Sequence, residues 1–95
     1  MYKTKLIKVI ALFEYLIQIE DSSTYRQILT AYNQLLLNIN NKEKVDFIKA
    51  DFKPLQNVYK MYYESPSADK VLGKYILNLM QELYEIELQI FKKKP

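Results

Sequence analysis

Carboxylates are the only acid–base side chains that this chain carries in quantity. The sequence has no histidine and no cysteine, which removes imidazole bases, thiol nucleophiles, disulfides and the usual zinc ligands together. Three glutamates lie close together near the C-terminus: Glu82, Glu85 and Glu87. A di-iron helical bundle would need Glu-x-x-His pairs, so we interpret these three glutamates as a solvated helix face.

The remaining groups give no support for catalysis either. Glu43, Asp46 and Asp51 are interpreted as surface residues or helix caps. The serines lie in predicted turns and have no base to activate them as nucleophiles. Gly73 is the only glycine, so a phosphate-binding glycine loop is excluded. We therefore expect a protein that is not an enzyme and that has no metal site and no cofactor.

Length and composition indicate one globular domain, residues 1–95. A content of 49% hydrophobic and 26% charged residues is ordinary for a folded chain of this size. The N-terminal stretch has lysines before an apolar run, as a signal peptide does, but Glu14 and Gln18 interrupt the run. We interpret it as an amphipathic helix of the mature protein, and the missing cysteines favour the cytoplasm.

Nine tyrosines are many for this length, and seven of them divide into two groups. One group falls on predicted inward positions: Tyr25, Tyr32, Tyr59, Tyr62 and Tyr75. Tyr15 and Tyr63 do not fit a core. Because tyrosine and methionine are enriched at protein interfaces, Tyr63 with Met61 is a candidate contact patch.

The chain has a net charge of +3, and the predicted topology places most of its lysines at one end of the bundle. An up-down bundle gathers the following lysines at one end, which we call the lysine-rich end: Lys3, Lys5, Lys8, Lys42, Lys44, Lys49, Lys53, Lys92, Lys93 and Lys94. Fewer carboxylates share that end: Glu43, Asp46, Asp51, Glu85 and Glu87. The lysines either solvate the end of the bundle or attract an anionic membrane surface or an acidic partner. Arg26 is the only arginine, which argues against sequence-specific DNA binding.

The spacing of apolar residues predicts the first two helices, over about residues 3–20 and 24–40. The first core stripe is Leu6, Val9, Ile10, Phe13, Leu16 and Ile17. The second is Tyr25, Ile28, Leu29, Tyr32, Leu35, Leu36 and Ile39. Thr24 with Gln27 fits a capping box for the second helix, and Asp21 or Ser23 fits the cap equally well.

Two interpretations are open for the segment that follows. The preferred one places a short helical turn over residues 44–50 and a helix over 52–64, with Asp51 as its cap and Pro54 in its first turn. The other is one kinked helix over residues 43–64.

A long fourth helix is predicted over about residues 68–91, after the turn at Pro66. Its core repeats every seven residues: Leu72, Ile76, Leu79, Leu83, Ile86 and Ile90. A second apolar flank consists of Leu77, Tyr84, Leu88 and Phe91. Short connections then predict an all-α fold, an antiparallel up-down-up-down four-helix bundle, which we expect to be monomeric.

This order of elements resembles the immunity proteins of class IIa, or pediocin-like, bacteriocins, and in particular the enterocin A immunity group. The resemblance is carried by DSSTYRQILTAYNQLLLNI, then a lysine-rich linker, PLQNVYKMYY, and a long helix ending in LNLMQELYEIEL. It implies a cytosolic four-helix bundle that protects the producing cell. In this family the immunity protein acts at the mannose phosphotransferase permease that the bacteriocin targets, and it does not bind free bacteriocin tightly.

The resemblance also implies where the partner binds. In the family the C-terminal half largely decides which bacteriocin is resisted, and here that half is residues 54–95. Relatives often carry a longer tail after the fourth helix. The candidate partner-binding residues are therefore the turn between the third and fourth helices and the basic tail: Met61, Tyr63, Glu64, Ser65, Pro66, Lys92, Lys93 and Lys94. The expected partner is the permease with bound bacteriocin, and contact with the inner membrane face is compatible with it.

A second class of function remains open from the sequence. A small helical adaptor or regulator would act by dimerising through the fourth helix or by binding nucleic acid at the lysine-rich end. The shortage of arginine makes nucleic acid the less favoured partner.

Overall fold

The computed structural model describes residues 2–55, 58–64 and 71–91, and for Lys44 and Phe91 it describes the backbone alone. Within these ranges the chain forms four α-helices and two short 3₁₀ segments. In chain order they are α1 (Tyr2–Ile19), α2 (Ser23–Ile39), the 3₁₀ segments Lys44–Asp46 and Lys49–Leu55, α3 (Val58–Tyr63) and α4 (Val71–Phe91). These ranges contain no strand, so the expected all-α bundle is confirmed.

α1 buries most of the stripe that its spacing predicts. Five of the six residues are buried and Ile17 is half-buried. The predicted helix starts near residue 3 and so leaves out Tyr2, which the structure places in the core with only 5% of its surface exposed. Tyr15, expected on the wet face, is 52% exposed.

α2 also follows its predicted stripe, but its cap differs. Ser22 is the N-cap: its backbone is extended, and its hydroxyl oxygen accepts a hydrogen bond from the amide of Tyr25 at 3.5 Å. None of the side chains proposed from the sequence takes this role: Asp21, Ser23 and Thr24. Asp21 instead forms an ion pair with Arg26, whose Nη2 donates to Asp21 Oδ2 at 3.1 Å.

The helix predicted over residues 52–64 is wrong in its first part, because α3 begins only at Val58. The kinked helix over residues 43–64 is wrong as well. Pro54 lies inside the second 3₁₀ segment. Proline has no amide hydrogen to donate to an α-helical ladder, and its ring clashes with the preceding turn. The preferred break in the chain is therefore confirmed, but it lasts longer than expected.

Aromatic packing explains the path of residues 40–55, which follow α2 and which we call the linker. Phe47 and Phe52 are 4% and 1% exposed, and their ring centroids lie 5.9 Å apart. Both rings pack edge-on against Tyr2 of α1. The tight 3₁₀ turns allow two phenylalanines five residues apart to reach the same side of the chain.

α4 is rotated relative to its predicted core stripe. Ile76, Leu79 and Leu83 are buried as expected. The other three predicted positions are only half-buried: Leu72, Ile86 and Ile90. The interior line instead includes three residues that the prediction left out: Gly73, Met80 and Glu87. The wide apolar arc of this helix fits two registers, and the structure uses the one that brings Glu87 inside.

Four aromatic rings fill the centre of the bundle. Phe13 of α1 lies 5.1 Å from Tyr62 and 6.2 Å from both Tyr25 and Tyr32, measured between ring centroids. All four residues are at most 3% exposed. Edge-to-face and offset contacts at these distances are the favoured geometries for aromatic pairs. The inward positions predicted for Tyr25, Tyr32 and Tyr62 are confirmed.

Contacts along α1 run in opposite residue order to those of its neighbours. Tyr2 contacts Glu87 and Lys5 contacts Glu82, so α1 and α4 are antiparallel. Lys3 donates to the carbonyl of Asn40 at the end of α2, as an antiparallel α1–α2 pair requires. The sense of α3 relative to α4 stays a prediction, because the connection over residues 65–70 lies outside the described ranges.

Candidate partner-binding site

The start of α1, the linker and the end of α4 meet at one end of the bundle, as the sequence predicts. Tyr2 joins all three. Its ring centroid lies 5.7 Å from that of Phe47 and 6.0 Å from that of Phe52. Its hydroxyl donates to Oε2 of Glu87 at 3.2 Å. The lysine-rich end is therefore built on a buried aromatic contact.

Asp51 is a structural anchor of this end and neither a surface residue nor a helix cap. It is 6% exposed, and Lys42 Nζ donates to its two oxygens at 3.0 and 2.9 Å. Asp51 Oδ2 also accepts from the amide of Ile48 at 3.0 Å. The side chain of Asn38 donates to the carbonyl of Asp51 at 3.0 Å. These bonds hold the linker against the end of α2. The negative charge of Asp51 also offsets the positive charge of Lys42, one of the lysines counted at the lysine-rich end.

Two more of the lysines that the prediction places at the lysine-rich end contact side chains of α4. Lys5 lies 2.8 Å from Glu82, in a partly exposed ion pair that the sequence did not assign to this end. Lys8 lies 5.5 Å from the ring centre of Tyr75, and the hydrogen bond to Tyr75 raises the pKa of Lys8. Tyr75 is 42% exposed, so its predicted inward position is wrong. It covers the seam between α1 and α4 rather than the core.

Glu87 is buried, which contradicts its interpretation as part of a solvated face. It is 5% exposed, and burial raises its pKa to about 7, while the hydrogen bond from Tyr2 partly opposes this rise. Burial and the nearby Glu87 charge also raise the pKa of Tyr2 and of Tyr32. Glu82 and Glu85 are exposed, as predicted.

A cleft of about 340 Å³ opens beside this buried cluster. Its floor is apolar and its rim is charged, and it is lined by Tyr2, Lys3, Thr4, Lys42, Glu43, Phe47 and Ile86. No local sequence pattern indicates this cleft, because it depends on where the linker crosses the start of α1. A signal for Tyr2 was available, since it lies four residues before Leu6 on the α1 stripe.

The predicted binding turn is described only in part. Tyr63 is 64% exposed and Glu64 is exposed, while Met61 is half-buried against the core. The exposure of Tyr63 agrees with its expected absence from the core. The rest of the predicted site lies outside the described residues: Ser65, Pro66, Lys92, Lys93 and Lys94.

Tyr63 is the outer member of a tyrosine ladder, by which we mean Tyr63, Tyr59 and Tyr84. The rings of Tyr59 and Tyr63 are nearly parallel at 21°, with centroids 6.3 Å apart. The rings of Tyr59 and Tyr84 are parallel within 20° at 6.2 Å. Tyr84 is 44% exposed and Tyr59 is half-buried. The ladder therefore presents stacked ring surface along the α3–α4 seam.

The sequence analysis identifies one residue of this ladder, Tyr63, as a candidate contact residue and does not identify Tyr59 or Tyr84. Tyr59 was expected to lie inward, although its spacing of four residues from Tyr63 places both on one helix face. Tyr84 was assigned to the apolar flank of α4, and its position beside Tyr59 depends on how far α4 slides along α3. No local pattern encodes that offset.

No protein-family model matches this chain, and comparisons with curated proteins and with solved structures give no significant match. In the part of the chain that the structure describes, no helix is long and apolar enough to cross a membrane. The same residues include no group of three or more acidic side chains placed to hold a metal ion.

Proposed function

We propose that this protein is a bacteriocin immunity protein of the class IIa type, with no catalytic activity of its own. The sequence pattern resembles that group over most of the chain. The observation that carries the proposal is the exposed tyrosine ladder in residues 54–95, the half to which the resemblance assigns bacteriocin recognition. A helical bundle with this order of elements is also what the resemblance implies.

In the proposed mechanism the protein binds the cytosolic side of a mannose permease that a bacteriocin has occupied, and it holds the pore closed. The ladder supplies the recognition. Stacked tyrosines offer a large and stiff contact area, since each ring has few rotatable bonds, and their hydroxyls provide hydrogen bonds at the rim. Truncating one such residue at the centre of an interface removes about 2 kcal/mol or more of binding free energy.

The C-terminal lysines have a different role in this mechanism. Lysine charges act by long-range attraction that salt screens, and the proposed mechanism assigns general affinity for the membrane-side complex to Lys92, Lys93 and Lys94. One lysine of the tail can replace another in this role, whereas one stacked tyrosine cannot replace another. Specificity therefore belongs to the ladder and affinity to the tail.

The test is expression of the protein in the cytoplasm of a sensitive strain, followed by exposure to a panel of class IIa bacteriocins. We expect survival to rise against at least one peptide of the panel and not against a bacteriocin that kills without the mannose permease. A sensitive strain with the empty vector is the control. Unchanged killing by every peptide, with the protein folded and abundant, would refute the proposal.

A further inference from the structure

Two aliphatic side chains of the linker are turned away from the bundle. Val45 is 78% exposed and Ile48 is 54% exposed. Exposed apolar residues are common when they occur singly. These two are three residues apart and flank Phe47, which is buried. The core therefore includes Phe47 and leaves both aliphatic side chains outside.

The linker holds this pair in a fixed position. Phe47 and Phe52 anchor it from within through their contacts with Tyr2. The Asp51 carboxylate ties the amide of Ile48 to Lys42, as described above. A segment that is already ordered loses little conformational entropy when it binds a partner.

Charge surrounds the pair. Lys49 and Lys53 are exposed in the same linker, and Lys3 lies nearby at the start of α1. Three exposed carboxylates oppose them: Glu43 and Asp46 in the linker and Glu85 in the last two turns of α4. By sequence the chain continues past α4, whose last turn lies at this end, with Lys92, Lys93 and Lys94. The balance of charge at this end of the bundle therefore favours an anionic partner.

We propose that the linker is a membrane wedge: Val45 and Ile48 enter the interfacial layer of an anionic lipid bilayer, while Lys49 and Lys53 lie against lipid phosphates. Short aliphatic side chains beside lysines are typical of segments that lie on a bilayer, where apolar burial adds to attraction by acidic lipids. The wedge thus joins both contributions on one rigid segment.

The composition of the wedge favours a bilayer over a protein partner. The centres of protein interfaces are enriched in aromatic residues and arginine and depleted in lysine. The wedge has the opposite composition, since its exposed residues are valine, isoleucine and lysine. The tyrosine ladder has the composition of a protein interface, so the two surfaces are suited to different partners.

Vesicle binding tests this inference without any permease or bacteriocin, so its result is independent of the proposed function. Sedimentation of the purified protein with vesicles of phosphatidylglycerol and phosphatidylcholine should show binding that pure phosphatidylcholine does not support. The double change Val45→Ser with Ile48→Ser should weaken binding about tenfold or more. The double change Lys49→Gln with Lys53→Gln should weaken it about tenfold and reduce its dependence on salt.

A matched control exists at the opposite end of the bundle. Val71 is 88% exposed and Ile19 is 63% exposed, so the double change Val71→Ser with Ile19→Ser removes the same side chains from a distant surface. This control should leave vesicle binding unchanged. The inference is overturned if anionic vesicles do not bind the native protein at low salt, or if the control weakens binding as much as the wedge variant.

An acidic protein partner makes a different prediction. If soluble polyglutamate competes fully with the vesicles and the serine double variant at the wedge binds as well as the native protein, charge alone is at work, and the lipid assignment is wrong. Insertion also has a direct signal, because the chain has no tryptophan. A Val45→Trp variant should shift its emission to shorter wavelength on anionic vesicles, and a Val71→Trp variant should not.

Discussion

Glu87 has its carboxyl group inside the bundle, whereas the carboxyl group of an ordinary surface glutamate lies in water. Its only hydrogen bond among the described contacts comes from the hydroxyl of Tyr2, at 3.2 Å. Burial disfavours the charged form and raises the pKa to about 7, against an ordinary value of 4.5. The folded protein therefore keeps a proton on Glu87 at a pH where the unfolded chain has lost it.

The raised pKa of Glu87 makes the free energy of unfolding depend on pH in a defined direction. Below pH 4.5 the carboxyl is protonated in both states and costs nothing. As pH rises from there to about 7, the unfolded state ionises while the folded state does not, so the free energy of unfolding falls by about 3 kcal/mol. Above pH 7 this residue contributes no further change. The stability of the protein should therefore be greater at pH 5 than at pH 7.5.

The change Glu87→Gln should remove this pH dependence and raise stability near pH 7.5, because glutamine accepts the Tyr2 hydrogen bond without ionising. The measurement is urea unfolding at pH 5, 6, 7 and 8. Glu85→Gln, at an exposed position two residues away, is the control and should keep the native pH dependence. A parallel pH dependence in native protein and Glu87→Gln would show that Glu87 is not the titrating group.

The helices differ in how far their sequences determine them. α1 and α2 have one narrow apolar stripe each, so spacing alone predicts both the helix and its buried side. α4 has an apolar arc wide enough for two registers. The seven-residue apolar repeat predicts the register without Glu87, whereas the hydrogen bond that favours the other register comes from Tyr2, at the far end of the chain.

The linker could not be predicted for a related reason. Its 3₁₀ turns depend on Phe47 and Phe52 meeting Tyr2, a contact between residues far apart in sequence. Asp51 has the residue type and spacing of a helix cap, and only its burial and its ion pair with Lys42 show its role as an anchor. Among the candidate site residues, the exposure of Tyr63 and its stacking on Tyr59 follow from local spacing, whereas the position of Tyr84 beside Tyr59 depends on tertiary packing.

Removing the anchor tests this account of the linker. The change Asp51→Ala leaves the amide of Ile48 and the ammonium of Lys42 without their acceptor, so the free energy of unfolding should fall by about 3 kcal/mol. Asp46→Ala, which changes an exposed carboxylate of the same linker, should cost less than about 0.5 kcal/mol. Urea unfolding at pH 7 measures both. Equal effects would mean that the Asp51 bonds do not hold the linker in solution.

At the scale of the whole molecule, the two surfaces to which the proposals assign partners lie in different regions of the described chain. The linker offers aliphatic and lysine side chains at the end where α1 begins. The tyrosine ladder lies along the α3–α4 seam. A protein with this division can approach a bilayer with one surface while the other contacts a membrane protein. The proposed immunity function assigns the choice of bacteriocin to the ladder alone.

The assignment predicts different salt responses for the two parts. Replacing Lys92, Lys93 and Lys94 by alanine should reduce protection against every bacteriocin to a similar degree, because general attraction is lost. The reduction should shrink as the salt concentration rises in a binding assay with permease-containing vesicles. A triple variant that loses protection against one bacteriocin and keeps it fully against another would assign specificity to the tail.

The most direct test of the central claim is the survival of a sensitive strain that expresses the Tyr63→Ala variant. Tyr63 is exposed, so its removal should leave the bundle folded, as circular dichroism can check. Tyr15→Ala on α1 removes a tyrosine of similar exposure far from the ladder and is the control. We predict that Tyr63→Ala loses protection against the bacteriocin that the native protein resists, while Tyr15→Ala protects fully. Full protection by a folded Tyr63→Ala variant against every peptide would contradict the account.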